Sequence, residues 1–282
     1  MFSWLDLCAP RPAIMGILNV TPDSFSDGGK FIDQDAAISH GQALVAQGVD
    51  IIDVGGESTR PGSSPVPPAE QCRRVIPVIE HLSASAGVPI SVDTQSAQVA
   101  DAALTAGAQV VNDVSAGRND PEILNVVAQH EAGYVVMHMQ GDPTSMQDRP
   151  HYDDVVAEVI DFLRRRSGLA HAAGIAPSAI AADPGIGFGK TRDHNFALLA
   201  HISRIVDEVD APVLVGTSRK GFLHLPSASS EPDGGSSSDF AARDDATLAT
   251  IVWSLNAGVQ IVRVHLPIAA LRARSLLEAM AD

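Results

Sequence analysis

The chain has 282 residues, 45% of them apolar, with a formal net charge of −15 and only two cysteines, Cys8 and Cys72. So acidic a chain lacks the basic stripe of a nucleic-acid surface. Two cysteines exclude a disulfide framework or a cysteine-rich zinc site and fit a reducing, cytoplasmic setting. No apolar run approaches the ~18 residues that span a bilayer, and Met1 to Pro12 lacks the basic and apolar regions of a signal peptide.

Apolar runs suited to strands alternate with helical patterns along the chain. The first, Ala13 to Asn19, leads through the loop Thr21-Pro-Asp-Ser-Phe-Ser-Asp-Gly-Gly29 to a helix from about Asp35 to Gly48. The second is Asp50-Ile-Ile-Asp-Val-Gly-Gly-Glu-Ser-Thr-Arg-Pro-Gly62, a short strand that loses its side chains at Gly55 and Gly56 and enters a polar loop. Pro67 and Pro68 suit the start of the helix that follows to Leu82, where a missing N–H is not felt. The third strand, Pro89 to Thr94, precedes a helix ending near Gly107. The fourth, Gln109 to Val114, precedes one from Pro121 to about His130.

Tyr134 to His138 is the fifth strand, followed by a loop through Pro150 and a long helix, Asp153 to Ala173. Ile180 to Asp183 is the sixth, with a Gly-rich loop to Lys190 and a helix near Asn195–Val209. Pro212 to Gly216 is the seventh. Pro226 to Asp239, rich in Ser, Gly and Asp, cannot bury enough apolar area to order itself and reads as a flexible loop before the next helix. Val259 to His265 is the eighth strand, and a short helix runs to Met280. Eight strand–helix units, with strands apolar enough to be buried on both faces, predict a single-domain (β/α)8 TIM barrel. A doubly wound sheet is the competing architecture, but eight strands is many and no Gly-x-Gly-x-x-Gly opens the first helix.

In such a barrel, chemistry gathers at the C-terminal ends of the strands. Here those ends carry Asn19, the Glu57–Arg60 loop, Asp93, Thr94, Asn112, Asp113, His138, Asp183, Ser218-Arg-Lys220, Arg263 and His265, whereas the opposite ends are mostly Gly, Ala and Pro. Asn19, Arg60, Lys220, Arg263 and His265 form a cationic and amide-rich group suited to phosphate. The Asn19 carboxamide oxygen suits Mg²⁺, which takes only one or two protein ligands. Asp93, Asn112 and Asp183 match a flat heterocycle with adjacent N–H donors, although Asp93 could instead cap the next helix.

Asp183-Pro-Gly-Ile-Gly-Phe-Gly-Lys-Thr191 fails the Walker pattern, which needs Gly where Pro184 stands. Its glycines would let backbone approach a ligand, with Phe188 as an apolar wall. His138 and His265 show no third metal ligand at a recognisable spacing, and His138 equally suits a satisfied core position. No Ser-His-Asp or Cys-His signature points to covalent catalysis.

These blocks carry a resemblance. M-G-I-L-N-V-T-P-D-S-F-S-D-G-G (15–29), D-V-G-G-E-S-T-R-P-G (53–62), S-V-D-T (91–94), N-D-V (112–114), M-H-M-Q-G (137–141), D-P-G-I-G-F-G-K (183–190), G-T-S-R-K-G-F (216–222) and R-V-H (263–265) resemble the dihydropteroate synthase family of pterin-binding TIM barrels. The resemblance covers Ile14 to about Ala270. It implies condensation of 6-hydroxymethyl-7,8-dihydropterin pyrophosphate with p-aminobenzoate, by an SN1-like course assisted by Mg²⁺.

Carried over by motif, Asp93, Asn112, Asp183 and Lys220 would hold the pterin, and Met137 would bind substrate. Asn19, Arg263 and His265 would hold the pyrophosphate, with Asn19 on the metal; these three and Lys220 would be catalytic. Thr59, Arg60, Pro61, Phe188 and Ser218 would shape the p-aminobenzoate site. The loops 21–34 and 57–68 would close over it and exclude water. The family is commonly dimeric through its last helices, so a homodimer is expected. The chain departs from the family at Leu266, where Asp is frequent, at Arg243–Thr247, where relatives often carry a Gly-Ser or Gly-Thr pair, and in the length of the 226–239 segment. Two other readings are a pterin-binding paralogue without catalysis and a methyltransferase domain acting on a folate; the second needs neither pyrophosphate cations nor the Ser-Thr-Arg-Pro loop.

Overall fold

A computed structural model describes residues 1–21, 34–58, 63, 65–142, 144–224 and 237–281, with backbone alone at 237–242 and 281. Eight parallel strands are present: β1 (Ala13–Asn19), β2 (Ile51–Gly55), β3 (Ile90–Asp93), β4 (Val110–Asp113), β5 (Gly133–Met137), β6 (Ile180–Asp183), β7 (Leu214–Val215) and β8 (Ile261–Val264). Their order is β6-β5-β4-β3-β2-β1-β8-β7. A parallel bridge between Ala182 and Val213 joins the two ends, and the Ala182 N–H donates to the Pro212 carbonyl at 2.9 Å. The sheet therefore closes on itself as the expected (β/α)8 barrel.

Around it lie α2 (Gln34–Gln47), α3 (Pro68–Ser85), α4 (Ala97–Thr105), α5 (Glu122–Gln129), α6 (Val155–Ala172), α7 (Arg192–Ala200), α8 (Ile202–Glu208), α9 (Ser237–Asn256) and α10 (Pro267–Ala281). The helix expected near Asn195–Val209 is split at His201 into α7 and α8. The helix after β7 begins at Ser237, inside the segment read as a loop to Asp239. In α3, Pro77 cannot donate to the carbonyl four residues back; that carbonyl, of Arg73, accepts instead from Gln34 Nε2 at 3.4 Å.

One element has no counterpart in the sequence reading, which took Met1 to Pro12 only as lacking a signal peptide. Ser3 caps a five-residue helix, α1 (Trp4–Cys8), by accepting from the Asp6 N–H. Trp4 is fully buried and packs in one cluster with the inward side chains Ala13, Met15, Ile51, Val110, Val135, Ala181, Leu214 and Ile261. It plugs the N-terminal end of the barrel.

Side chains on a strand alternate faces, so the inward row continues two residues along. From the plugged layer, Ile51 leads to Asp53, Val110 to Asn112, Val135 to Met137, Ala181 to Asp183 and Ile261 to Arg263. The apolar floor turns polar towards the C-terminal end, on four of these five strands.

Candidate active site

Arg263 is the centre of that polar layer. Its Nε donates to Asp53 Oδ2 at 2.6 Å and its Nη2 to Asp93 Oδ2 at 2.7 Å. The cationic and acidic groups separated in the sequence are thus one network. Asp93 is turned inward, which removes the alternative of a helix cap: the first N–H of α4, from Ala97, goes to Asp120 Oδ2 at 2.8 Å. Burial pushes the Asp93 carboxyl up to about 7; the Arg263 guanidinium opposes this and the Asp53 charge adds to it. Asn112 donates its Nδ2 to Asp53 Oδ2 at 2.9 Å. Asp113 faces the other way, accepting from the N–H groups of Ser115 and Gly117 and from the Tyr134 hydroxyl. It shapes a turn and does not line the pocket.

Asp183 accepts the Gly185 N–H at 2.7 Å through Oδ1, and burial raises its pKa against the pull of Lys220. Lys220 donates to the Ile186 carbonyl and lies 4.4 Å from the centroid of the Phe188 ring, a cation–π contact. Burial lowers its pKa to about 8. The lysine stem passes where a Cβ at Gly187 would stand 2.7 Å from Lys220 Cδ. Met137 and Phe188 meet in an apolar cluster with Val114, Met139 and Met146.

Sequence reasoning missed what makes the loop after β6 rigid. Lys190, 2% exposed, sets its three N–H donors among four partners, His138 Nδ1 at 2.9 Å and the carbonyls of Gly185, Phe188 and His138 at 2.9, 3.0 and 3.3 Å, the last and longest sharing a hydrogen with another. A lysine read as the end of a Gly-rich loop is its internal post. His138 is a satisfied core residue: its ring meets Phe162 edge-on at 4.8 Å, and burial, reinforced by Lys190, lowers its pKa from 6.5 to about 2.

Lys190→Met is expected to cost about 2–3 kcal/mol of stability in thermal unfolding, because a buried acceptor left without its donor costs about 1–3 kcal/mol. An unchanged melting temperature would remove this role. The His138 shift also sets a sign with pH. The folded pKa is depressed, so its stabilisation is present above 6.5 and is lost as pH falls towards 2.

Ser218 Oγ accepts the His265 backbone N–H at 3.2 Å and meets His265 Nδ1 at 2.9 Å. A hydroxyl that accepts the first bond can donate the second, which leaves the ring proton on Nε2, where it can meet an anion. Between Ser218 and Lys220, Arg219 has φ 59° and turns away from the mouth, pairing with Asp244 at 2.8 and 3.1 Å while its N–H goes to Thr247 Oγ1. The Arg243–Thr247 stretch that departs from the family therefore anchors the Ser-Arg-Lys turn.

Asn19 ends β1 with Oδ1 3.6 Å from where a Cβ on Gly55 would stand, on a spot that is 3.5 Å from Asp93 Cβ. Among the described residues no group of three or more His, Cys, Asp or Glu could hold a metal ion. The Asn19 carboxamide oxygen is a neutral donor of the kind Mg²⁺ accepts beside its waters.

Thr59, Arg60 and Pro61 lie outside the described residues, as do 22–33 and 225–236. The base of the 57–68 loop is fixed: Glu57 accepts the Val66 N–H at 2.6 Å and Gln71 Nε2 at 3.2 Å. Glu57 ties the loop down and Gln71 passes the connection to Thr94.

The barrel mouth sets acceptors on β3, β4 and β6 against donors on β8 and after β7. The pattern of the pterin binding enzyme family matches residues 15–265. The chain belongs to the dihydropteroate synthases of that family, which are transferases. It is 42% identical over 265 residues to dihydropteroate synthase of Synechocystis sp., covering 94% of this chain and 87% of that one. The Xanthomonas albilineans dihydropteroate synthase with 4-aminobenzoic acid superposes with TM-score 0.85 at 42% identity, over 96% of this chain and 94% of that one. The same enzyme in complex with 7,8-dihydropteroate gives 0.82 at 40% identity, over 96% and 94%.

Proposed function

We propose that this chain condenses 6-hydroxymethyl-7,8-dihydropterin pyrophosphate with p-aminobenzoate to give 7,8-dihydropteroate and pyrophosphate. The observation that carries this is the pairing of an acceptor edge (Asp93, Asn112, Asp183) with the donors Arg263, Lys220 and His265 at one mouth. The acceptors suit the N–H donors of a dihydropterin. The donors suit the charge of a departing pyrophosphate.

The C–O bond between the pterin methylene and pyrophosphate breaks first, and the electron pair leaves with the anion. The arylamine nitrogen then forms the C–N bond and gives up a proton, which the released pyrophosphate takes. With two of its donor positions held by Asp53 and Asp93, Arg263 offers Nη1 and its planar face to the anion. His265 adds an Nε2 proton, and Lys220, held against Phe188, places its ammonium between pterin and leaving group. When bound, Mg²⁺ would be held by Asn19 and by phosphate oxygens and would neutralise pyrophosphate charge. Phe188 and Ser218 would border the p-aminobenzoate, with Thr59, Arg60 and Pro61 completing its wall.

We read the protein as a cytoplasmic homodimer. No helix among the described residues is long and apolar enough to cross a membrane, and Trp253, Ile268, Leu276 and Met280 are exposed on α9 and α10. Pyrophosphate release that needs p-aminobenzoate, the pterin substrate and Mg²⁺ is the expected result, with chelation abolishing it. Pterin binding without turnover would instead mark a non-catalytic paralogue.

A further inference from the structure

Asp53 has a different position from the other acids of the site. It is 0% exposed, below the rim, on the second strand. Only Oδ2 is bonded, and it takes two donors, Arg263 Nε from β8 and Asn112 Nδ2 from β4, at 2.6 and 2.9 Å. Each of those strands is separated from β2 by one other strand. Oδ1 is buried and has no partner among the described residues. A carboxylate kept at full burial with one oxygen unbonded is costly for the fold. A role as a general charge balance would use both oxygens.

We infer that Asp53 is the positioning residue of the pterin pocket: its one bonded oxygen fixes which way the Asn112 carboxamide faces and the plane of the Arg263 guanidinium. This rests on the function proposed above. An amide presents a donor on one side and an acceptor on the other, and the two are interchangeable by a half-turn. With Nδ2 committed to Asp53, Asn112 offers Oδ1 to the ligand and joins the carboxylates of Asp93 and Asp183 in an edge of acceptors only. Without Asp53 the amide could turn and set a donor against the N–H groups of the heterocycle. The same oxygen stops Arg263 from rotating about its stem, so that Nη2 meets Asp93 and Nη1 is left for a ligand.

The test compares Asp53→Asn with Asp53→Ala. The asparagine keeps at the same place an oxygen that accepts from both Arg263 and Asn112, so the KM for the pterin pyrophosphate is expected to stay within about 3-fold of wild type. The alanine removes that oxygen, and the pterin KM is expected to rise at least 10-fold with the KM for p-aminobenzoate unchanged. A D53A enzyme with the wild-type pterin KM overturns the inference, as does a KM for p-aminobenzoate that rises in parallel. If D53A does not fold, D53N decides alone: a pterin KM raised 10-fold or more overturns the inference, and one within about 3-fold of wild type supports it. Wild-type turnover, measured alongside, tests the proposed reaction by itself.

Discussion

Arg263→Ala is expected to lower kcat/KM for the pterin pyrophosphate at least about 100-fold, since charged hydrogen bonds are worth about 1.5–3 kcal/mol each and 1.36 kcal/mol is tenfold. It is also expected to destabilise the protein. The guanidinium holds Asp53 and Asp93, and removing one partner of a buried pair costs about 3–5 kcal/mol. The pH dependence separates this from simple loss of packing. The Asp93 pKa is raised in the folded protein, so its stabilisation is full below the unfolded value near 3.8 and is lost as pH rises through about 7. Without Arg263 that pKa rises further, so the gap in melting temperature between wild type and variant should widen above pH 7. A variant with wild-type affinity for the pyrophosphorylated substrate and a gap independent of pH would remove Arg263 from both roles.

Gly185→Ala is expected to be almost as damaging to activity, although Gly185 has no side chain with which to touch a substrate. Its φ is +66°, and an added Cβ would stand 1.8 Å from the His138 carbonyl oxygen. A left-handed backbone costs an L-residue about 1–2 kcal/mol, and the contact forces the loop away from β5. The Gly185 N–H holds Asp183, and its carbonyl accepts from Lys190. The displacement therefore reaches the Asp183 carboxylate, proposed as a pterin acceptor, and, through Ile186, Lys220. Both KM for the pterin and kcat should worsen by more than about tenfold, an effect of the size a misplacement of about 1 Å produces. Steady-state kinetics that match wild type would show that the loop is not a fixed wall.

The barrel was legible because its cause is local: eight apolar runs, each followed by a helical pattern. The side of the barrel that carries chemistry was legible for the same reason, since polar residues collect at one strand end. Partners were not. Period-two alternation says that Asp53, Asp93 and Arg263 point inward, but not that one guanidinium joins two carboxylates across β1 and β2. Alternation could have separated Asn112 from Asp113, which are adjacent on β4 and face opposite ways.

Lys190 was hidden because a glycine-rich run reads as surface loop, while its burial depends on the loop after β5 closing over it. Lys220 and Arg219 follow a strand of two residues, where periodicity has ended, so only the structure shows that one turns in and the other out. The α1 plug is five residues long, too short for any period to show.

That plug has a consequence for how the chain comes to be folded. Trp4 precedes every strand in the order of synthesis, whereas Leu214 and Ile261, in the same buried cluster, belong to the seventh and eighth strands. The barrel's floor therefore cannot be completed until β8 has been made. A bulky fusion placed ahead of α1 would be felt at that step, more than in any chemistry at the opposite mouth.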